Sequence, residues 1–310
     1  MAGFPILTDD DVYAQFDYET VVDAMRDAFV ERAAGTLEAP PRWYVDAGAG
    51  ELVFTVGAAT GPTNASGFRV YGNYSDSGDD QTQLVAVFDA TSGTFEGLLV
   101  GHATGGLRTG GIGGVAIDAL ATADSETLGV LGSGFQARTQ VGAASAVREF
   151  EEILVYSPTA ENRTTFAETV ADDVDPPVRA VDEPEPVVRA ADALICATDS
   201  ETPVFDPDWL ESGMHVTTIG PRFEDAHELP LEVVDRADVI TTDSLPQVDD
   251  YDRPYIASGT DRERMVELAD VLEKPELGRT SDDDITLFCS VGLAGTEVVL
   301  GTRFLEKFAA

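Results

Sequence analysis

Apolar residues recur along the chain at two spacings, and the change from one to the other divides it. Val21, Val22, Met25, Ala28 and Phe29 fall at helical spacing within 7–36, behind a Thr8-Asp9-Asp10-Asp11 start and ahead of Gly35, a C-cap candidate. Pro40-Pro41-Arg42 breaks that pattern. Short strand-like runs follow at 51–56, 67–73 and 83–89, parted by glycine and serine turns, and Thr91-Ser92-Gly93 reads as a hairpin before a run at 95–100. These predict an antiparallel sheet. Residues 104–123 read as a helix of small side chains, suited to close packing and to joining two domains. From 128 the pattern becomes short apolar strands at 128–132, 152–156, 178–181, 192–196, 214–219 and 237–242, alternating with helices. That order predicts an α/β fold with a doubly wound, mostly parallel sheet of Rossmann type, next to a smaller α+β domain. The segment from Ile285 leads into a last helix that returns to the first domain.

The central stretch is 126–140. Leu128 to Leu131 is long enough for one buried strand, Gly132-Ser133-Gly134-Phe135-Gln136-Ala137 follows, and a helical pattern runs from Gln136 to Glu149. Strand, glycine turn and helix in that order form a dinucleotide site. Gly132 permits the tight turn, Gly134 lets backbone approach a pyrophosphate, and Ala137 keeps the helix close to the sheet. Free N–H groups at the helix start then face the phosphates. A tight turn that binds nothing is the alternative.

Composition narrows the class. The chain has 310 residues, 43% of them hydrophobic, enough for a substantial core and too apolar for disorder. Fifty-seven acids against 19 bases leave a formal charge of −38, and Lys274 and Lys307 are its lysines. Acids are spread throughout, so the chain repels itself unless salt screens it, which implies a protein built for high ionic strength, as in a halophile. No basic patch offers itself to nucleic acid. No apolar run is long enough for a membrane span, and the N-terminus lacks a signal-peptide pattern, so a cytoplasmic protein is expected. Cys196 and Cys289 lie in apolar segments and read as buried thiols.

Several residues could carry chemistry. The second strand of the nucleotide unit ends in Tyr156-Ser157-Pro158-Thr159 with no carboxylate for an adenosine ribose. Ser157, Thr159 and Arg163 could hold a 2′-phosphate, which tilts the expected cofactor, NAD or NADP, towards NADP. The same residues could equally cap the next helix. Arg42, Arg69 and Arg108 stand out where bases are scarce, and their planar forks suit a substrate carboxylate. Ion pairing to surface acids is the alternative. His102, His215 and His227 lack metal-ligand spacing, so no metal is expected. His215 lies in a strand pattern and reads as a core residue, while His102 and His227 are candidate proton donors.

Together these motifs resemble the ornithine cyclodeaminase/mu-crystallin family, which includes archaeal alanine dehydrogenase and ketimine reductases. The resemblance runs nearly end to end. It covers Pro40-Pro41-Arg42, Gly67-Phe68-Arg69-Val70, Asp89-Ala90-Thr91-Ser92-Gly93, Leu107-Arg108-Thr109-Gly110, the 132–140 turn, Cys196-Ala197-Thr198, His227-Glu228-Leu229, 281–288 and Ser290-Val291-Gly292. It implies a substrate-binding and dimerisation domain of 1–115 plus 293–310 around a Rossmann domain of 116–292, and a homodimer. Arg42 and Arg108 match the family's substrate-carboxylate arginines. Ala197, Thr198 and the segment at Val291 match places that approach the nicotinamide.

Two departures bear on activity. Arg69 stands where the family has an active-site lysine; it keeps the charge but cannot act as a base. Arg222 lies where cyclodeaminases carry an aspartate, which counts against ornithine cyclisation. The expected function is an NAD(P)-dependent oxidoreductase acting on the C–N bond of a small α-amino or imino acid, with an amino, imino or keto acid as the small-molecule partner. Arg69, His102 and Arg222 (through a water) are its candidate catalytic groups, and a dicarboxylic imino acid would fit the added arginines. A cyclodeaminase-type lyase using bound NAD and a non-catalytic mu-crystallin-like nucleotide binder are the rivals.

Overall fold

The computed structural model describes residues 4–74, 82–254 and 260–309. It divides into two compact units, Met1–Arg108 with Leu293–Ala310, and Thr109–Gly292.

The first unit opens with β1 (Ile6–Thr8), α1 (Asp9–Tyr13) and α2 (Tyr18–Ala33), then β2 (Leu37–Glu38), β3 (Trp43–Asp46), β4 (Glu51–Ala59), β5 (Ala65–Asn73), β6 (Leu84–Asp89) and β7 (Phe95–Val100). Thr8 and Asp11 close a capping box on α1, and Asp17 caps α2, so the helical opening is two helices rather than one. The strands form one sheet in the order β1-β7-β6-β5-β4-β2, with β3 also on β4; β1 joins β7 in parallel and the others pair antiparallel. α3 (Ala103–Leu120) follows, and the boundary between the units falls within it.

In the second unit come β8 (Thr127–Leu131), α4 (Phe135–Ser145), β9 (Glu152–Tyr156), α5 (Ala160–Val170), β10 (Val178–Ala180), α6 (Pro184–Ala190), β11 (Ala193–Cys196) and β12 (His215–Thr218). After them lie the small ribbon β13 (Arg222–Phe223) and β14 (Ala226–His227), α7 (Glu232–Arg236), β15 (Val239–Thr242), α8 (Leu245–Asp250), α9 (Thr260–Arg264), β16 (Met265–Glu267), α10 (Leu268–Glu273) and β17 (Thr286–Cys289). Eight of these strands form a parallel sheet, β10-β9-β8-β11-β12-β17-β15-β16. Alternate residues serve its two faces: Leu128, Val130, Ile153 and Val155 pack with Ala137 and Val141 of α4, while Leu131, Leu154, Leu194 and Cys196 pack with Val187 and Val188 of α6. The strand order reverses between β8 and β11, the switch point at which α/β sheets bind ligands. The tail expected only to lead into a helix contains β17, which lies between β12 and β15 and is buried throughout.

The chain then returns to the first unit as α11 (Thr296–Ala309). Its start lies hard against β4: a Cβ on Gly57 would sit 2.3 Å from Gly295 Cα. This close approach delivers the first turn of α11 to the sheet face that carries Thr55 and Arg69.

Candidate active site

In the second unit the glycine turn lies at the switch point. Gly132 has φ +120°, and a Cβ there would lie 2.2 Å from the Ala197 carbonyl oxygen at the end of β11, so glycine is required by conformation and by space. Gly134 is the N-cap of α4, has no side-chain cap, and has nothing within 4 Å of its Cβ position. The first-turn amides of α4, from Phe135, Gln136 and Ala137, therefore open onto free space beside the turn. Ala137 is fully buried, which seats the helix on the sheet. Ser133 donates to Ser157 Oγ at 2.9 Å and ties the turn to the end of β9. Arg163 donates to the Ser157 carbonyl at 3.1 Å and pairs with exposed Asp182 at 2.6 Å. Thr159 is the N-cap of α5, yet its hydroxyl makes no capping bond, so capping does not account for that side chain.

Two buried carboxylates that composition did not single out hold the neighbouring loops. Glu228 accepts from Thr198 N and Oγ1 on one oxygen, and from Thr218 Oγ1, Ile219 N and Gly220 N on the other. It fastens the loops after β11 and β12. Asp243 accepts from Val291 N at 2.8 Å, Gly292 N and Ser290 Oγ, and so fixes the segment after β17. Arg222 donates to the Gly220 and Ile219 carbonyls, at 3.1 and 2.5 Å. His227 Nδ1 lies 3.1 Å from the Phe223 carbonyl. His215 is a core residue, with Nδ1 on Thr286 Oγ1 and Nε2 on Thr217 Oγ1 at 2.9 Å each; burial, reinforced by Arg279 and Arg148, pushes it down to about 3. Burial raises both cysteine thiols, leaving them unreactive.

The first unit holds the arginines. Arg69 is 7% exposed and Arg108 6%, far from the surface pairing that was their alternative. Between them stands Glu297, from the first turn of α11, fully buried, with Oε1 3.2 Å from Arg69 Nη1 and 3.4 Å from Arg108 Nε. Burial favours its neutral form, but Arg108 and Arg69 outweigh that and hold the carboxyl below its usual range. Burial lowers Arg69, opposed by Glu297 and reinforced by Arg108. Arg42, just before β3, adds to the field at Glu297. Arg69 is further fixed by Tyr71, whose ring centroid lies 4.2 Å from its Cζ, and by Gln83, which accepts from Nε at 2.8 Å. The Gln83 amide nitrogen faces His102 Nδ1 at 3.3 Å, so that ring nitrogen is the acceptor. Arg69, Arg108 and His102 thus belong to one network with Gln83 and Glu297, whereas Arg222 and His227 lie in the other unit. Arg108 Nε and Nη1, Glu297 Oε2 and the Thr55 hydroxyl are buried with no hydrogen-bond partner. Buried polar groups seldom go unpaired, and these have room in their hydrogen bonding for a polar ligand or an ordered water.

Among the described residues no His, Cys, Asp and Glu side chains gather as a metal site, and no helix is long and apolar enough to cross a membrane. A parallel sheet with a glycine turn at its switch point is the architecture of dinucleotide-binding domains, and a buried arginine pair carries charge suited to a small anion. The chain belongs to the ornithine cyclodeaminase/mu-crystallin family, whose model matches residues 5–309. It is 30% identical to a Δ1-pyrroline-2-carboxylate reductase of Bacillus cereus over 230 residues, 72% of this chain and 70% of that one. It is 26% identical to an alanine dehydrogenase of Archaeoglobus fulgidus over 307 residues, 97% and 94% of the two chains. Among solved structures it resembles the Thermococcus litoralis Δ1-pyrroline-2-carboxylate reductase in complex with NADH and L-proline, with TM-score 0.90, 27% identity and coverage of 98% and 97%.

Proposed function

We propose that this protein is an NAD(P)-dependent oxidoreductase acting on the C–N bond of a small α-imino or α-amino acid. The observation that carries the reading is the buried Arg69–Glu297–Arg108 cluster, in which Arg108 Nη1 has no acceptor and Nε has only its 3.4 Å ion pair with Glu297. A substrate carboxylate meets that need through charge-assisted bonds to a planar fork. The nucleotide site fits a dinucleotide: the Gly132–Gly134 turn leaves open space before an uncapped helix N-terminus. When bound, a dihydronicotinamide supplies a hydride to a C=N carbon, and an oxidised one accepts it from a C–H. The protein's own part is positioning. Gly132, Ser133, Gly134, Phe135, Gln136 and Ala137 would seat the pyrophosphate. Ala197, Thr198 and Val291 would border the nicotinamide, with Glu228 and Asp243 bracing their loops. Arg42, Arg69 and Arg108 would orient the carboxylate.

The Thermococcus relative carries NADH. For this chain NADPH is favoured, because the residue after β9 is Ser157 rather than a carboxylate and the Arg163–Asp182 pair, with the Asp182 side chain 91% exposed, can be exchanged for a 2′-phosphate. Arg222, with its guanidinium on two carbonyls, cannot replace the aspartate of a cyclodeaminase, which favours reduction over ornithine cyclisation. A homodimer is supported by the apolar face of β3 and β4 on which Trp43, Val45, Leu52 and Val56 are exposed, and by the dimer of an archaeal alanine dehydrogenase at TM-score 0.89 and 25% identity. The charge of −38 supports work at high ionic strength.

The test is made in multimolar KCl. Pooled 2-keto acids with ammonia or methylamine are mixed with NADH and NADPH separately, and nicotinamide absorbance is followed. Loss of signal is expected. No loss from folded, nucleotide-bound protein overturns the proposal.

A further inference from the structure

The cluster around Arg108 lacks more than an acceptor. Arg108 Nη1 has no hydrogen-bond partner, Nε has only its 3.4 Å ion pair with Glu297 Oε1, Glu297 Oε2 is an unpaired acceptor, and the Thr55 hydroxyl, which can donate or accept, is unpaired as well. All three residues are buried, with Thr55 2% and Glu297 0% exposed. They share one face of the first unit: Thr55 lies directly opposite Arg69 in the β4–β5 ladder, and Arg69 in turn contacts Glu297. A carboxylate alone would satisfy Arg108 and could accept from the Thr55 hydroxyl, but would leave Glu297 Oε2 unpaired. A ligand that satisfies both carries an anionic oxygen and an N–H close together, and an α-imino acid bears them on adjacent carbons.

We infer that Glu297 is the residue that makes this protein choose C=N over C=O, by accepting a hydrogen bond from the substrate's protonated imine nitrogen while Arg108 holds the carboxylate. The inference rests on the function proposed above. Arg108 and Glu297 already touch through Nε and Oε1 at 3.4 Å, so their remaining atoms, Nη1 and Oε2, sit on neighbouring side chains, as nitrogen and carboxylate sit on neighbouring carbons of the ligand. A 2-oxo acid presents a carbonyl oxygen to Glu297 instead, an acceptor against an anionic acceptor, and the carboxylate is left unpaired. Sites built to bind a substrate N–H reject analogues lacking it by about 10⁴-fold or more.

The arrangement also removes the need for a proton donor that Arg69 cannot supply. With the imine held as C=N–H⁺ by the Glu297 carboxylate, a hydride arriving at carbon forms the C–H bond and the π pair becomes the nitrogen lone pair. The neutral amine then takes its proton from water. One formal charge of the arginine pair is also cancelled by Glu297, which argues against a second substrate carboxylate there.

The test compares Δ1-pyrroline-2-carboxylate with pyruvate free of amine, for wild type and Glu297→Gln, together with inhibition by propionate, which has a carboxylate and no nitrogen. Wild type is expected to favour the imine by about 10⁴-fold in kcat/KM. Glu297→Gln is expected to narrow that ratio at least tenfold, with propionate bound as well as before or more tightly. Equal losses on both substrates, or loss of propionate binding, would show that Glu297 only positions the arginines and overturn the inference. Absence of wild-type turnover on either substrate would count against the proposed function itself. If Glu297→Gln fails to fold, Thr55→Val gives a second reading: a narrowed ratio supports the cluster's role and an unchanged one opposes it.

Discussion

Substituting Gly134 by alanine separates nucleotide binding from folding. Gly134 has φ −86° and ψ −177°, which any residue adopts, and an added Cβ meets nothing within 4 Å. The cost to the fold is that of alanine for glycine at an N-cap, no more than about 1 kcal/mol. For a chain of this size that moves Tm by roughly 2–4 °C. The methyl occupies the space through which a pyrophosphate reaches the α4 amides. An affinity loss of about tenfold, or 1.4 kcal/mol, is the least expected if the phosphates lie there. Gly132→Ala is the contrasting control: φ +120° alone costs on the order of 1–3 kcal/mol, and the 2.2 Å approach to the Ala197 oxygen adds to it. Thermal melts and NAD(P)H fluorescence titrations in multimolar KCl read both effects. The reasoning fails if Gly134→Ala binds nucleotide like wild type, or if it is as unstable as Gly132→Ala.

Arg108→Lys keeps charge but loses the fork, and should raise substrate KM at least about tenfold with NAD(P)H affinity unchanged; equal weakening of both would contradict a carboxylate role. Glu228→Gln sets an amide nitrogen against N–H groups from Thr198 or from Ile219 and Gly220, at a cost of about 2 kcal/mol or more, seen as a lower denaturation midpoint. An unchanged midpoint would refute that bracing. His215 titrates near 3 in the fold and near 6.5 when unfolded, so the unfolded chain binds the extra proton between those values. Stability from this group is complete above pH 6.5 and falls as pH drops towards 3, by at most about 1.4 kcal/mol per pH unit. His215→Asn should flatten that part of the wild-type profile in urea titrations, and an identical slope would count against it.

Much of this fold was legible because periodicity and local chemistry agreed. The run from Leu128, the glycine turn and Ala137 carry strand, switch-point turn and helix in eighteen or so residues, each with its own local signature even though its packing partners lie elsewhere in the sheet. Strand β17 was missed because Thr286–Cys289 is buried on both faces and so has no alternation to read. Trp43–Asp46 was missed for the opposite reason: all four residues are exposed, and the strand depends on pairing with β4 and on contacts such as Trp43 with Phe54. The arginines were visible through their scarcity. Glu297 was not, since acids are everywhere in this chain and its partners are Arg69 and Arg108, far back in sequence. A single acid within the apolar and small-residue run 290–301 was the available signal. Glu228 lay inside a recognised motif, but only the fold shows its oxygens gathering two loops.

Hydride transfer between a nicotinamide and the carbon of a C–N bond, the reaction proposed for this protein, leaves an isotopic record in the product. The most direct measurement uses NADH or NADPH deuterated at the transferring position with Δ1-pyrroline-2-carboxylate in multimolar KCl, followed by mass analysis of the product. The expected product is proline carrying one deuterium at its α-carbon, in proportion to the nucleotide oxidised. Nucleotide oxidation with no deuterium in the amino acid, or proline formed from ornithine with no nucleotide consumed, would contradict it.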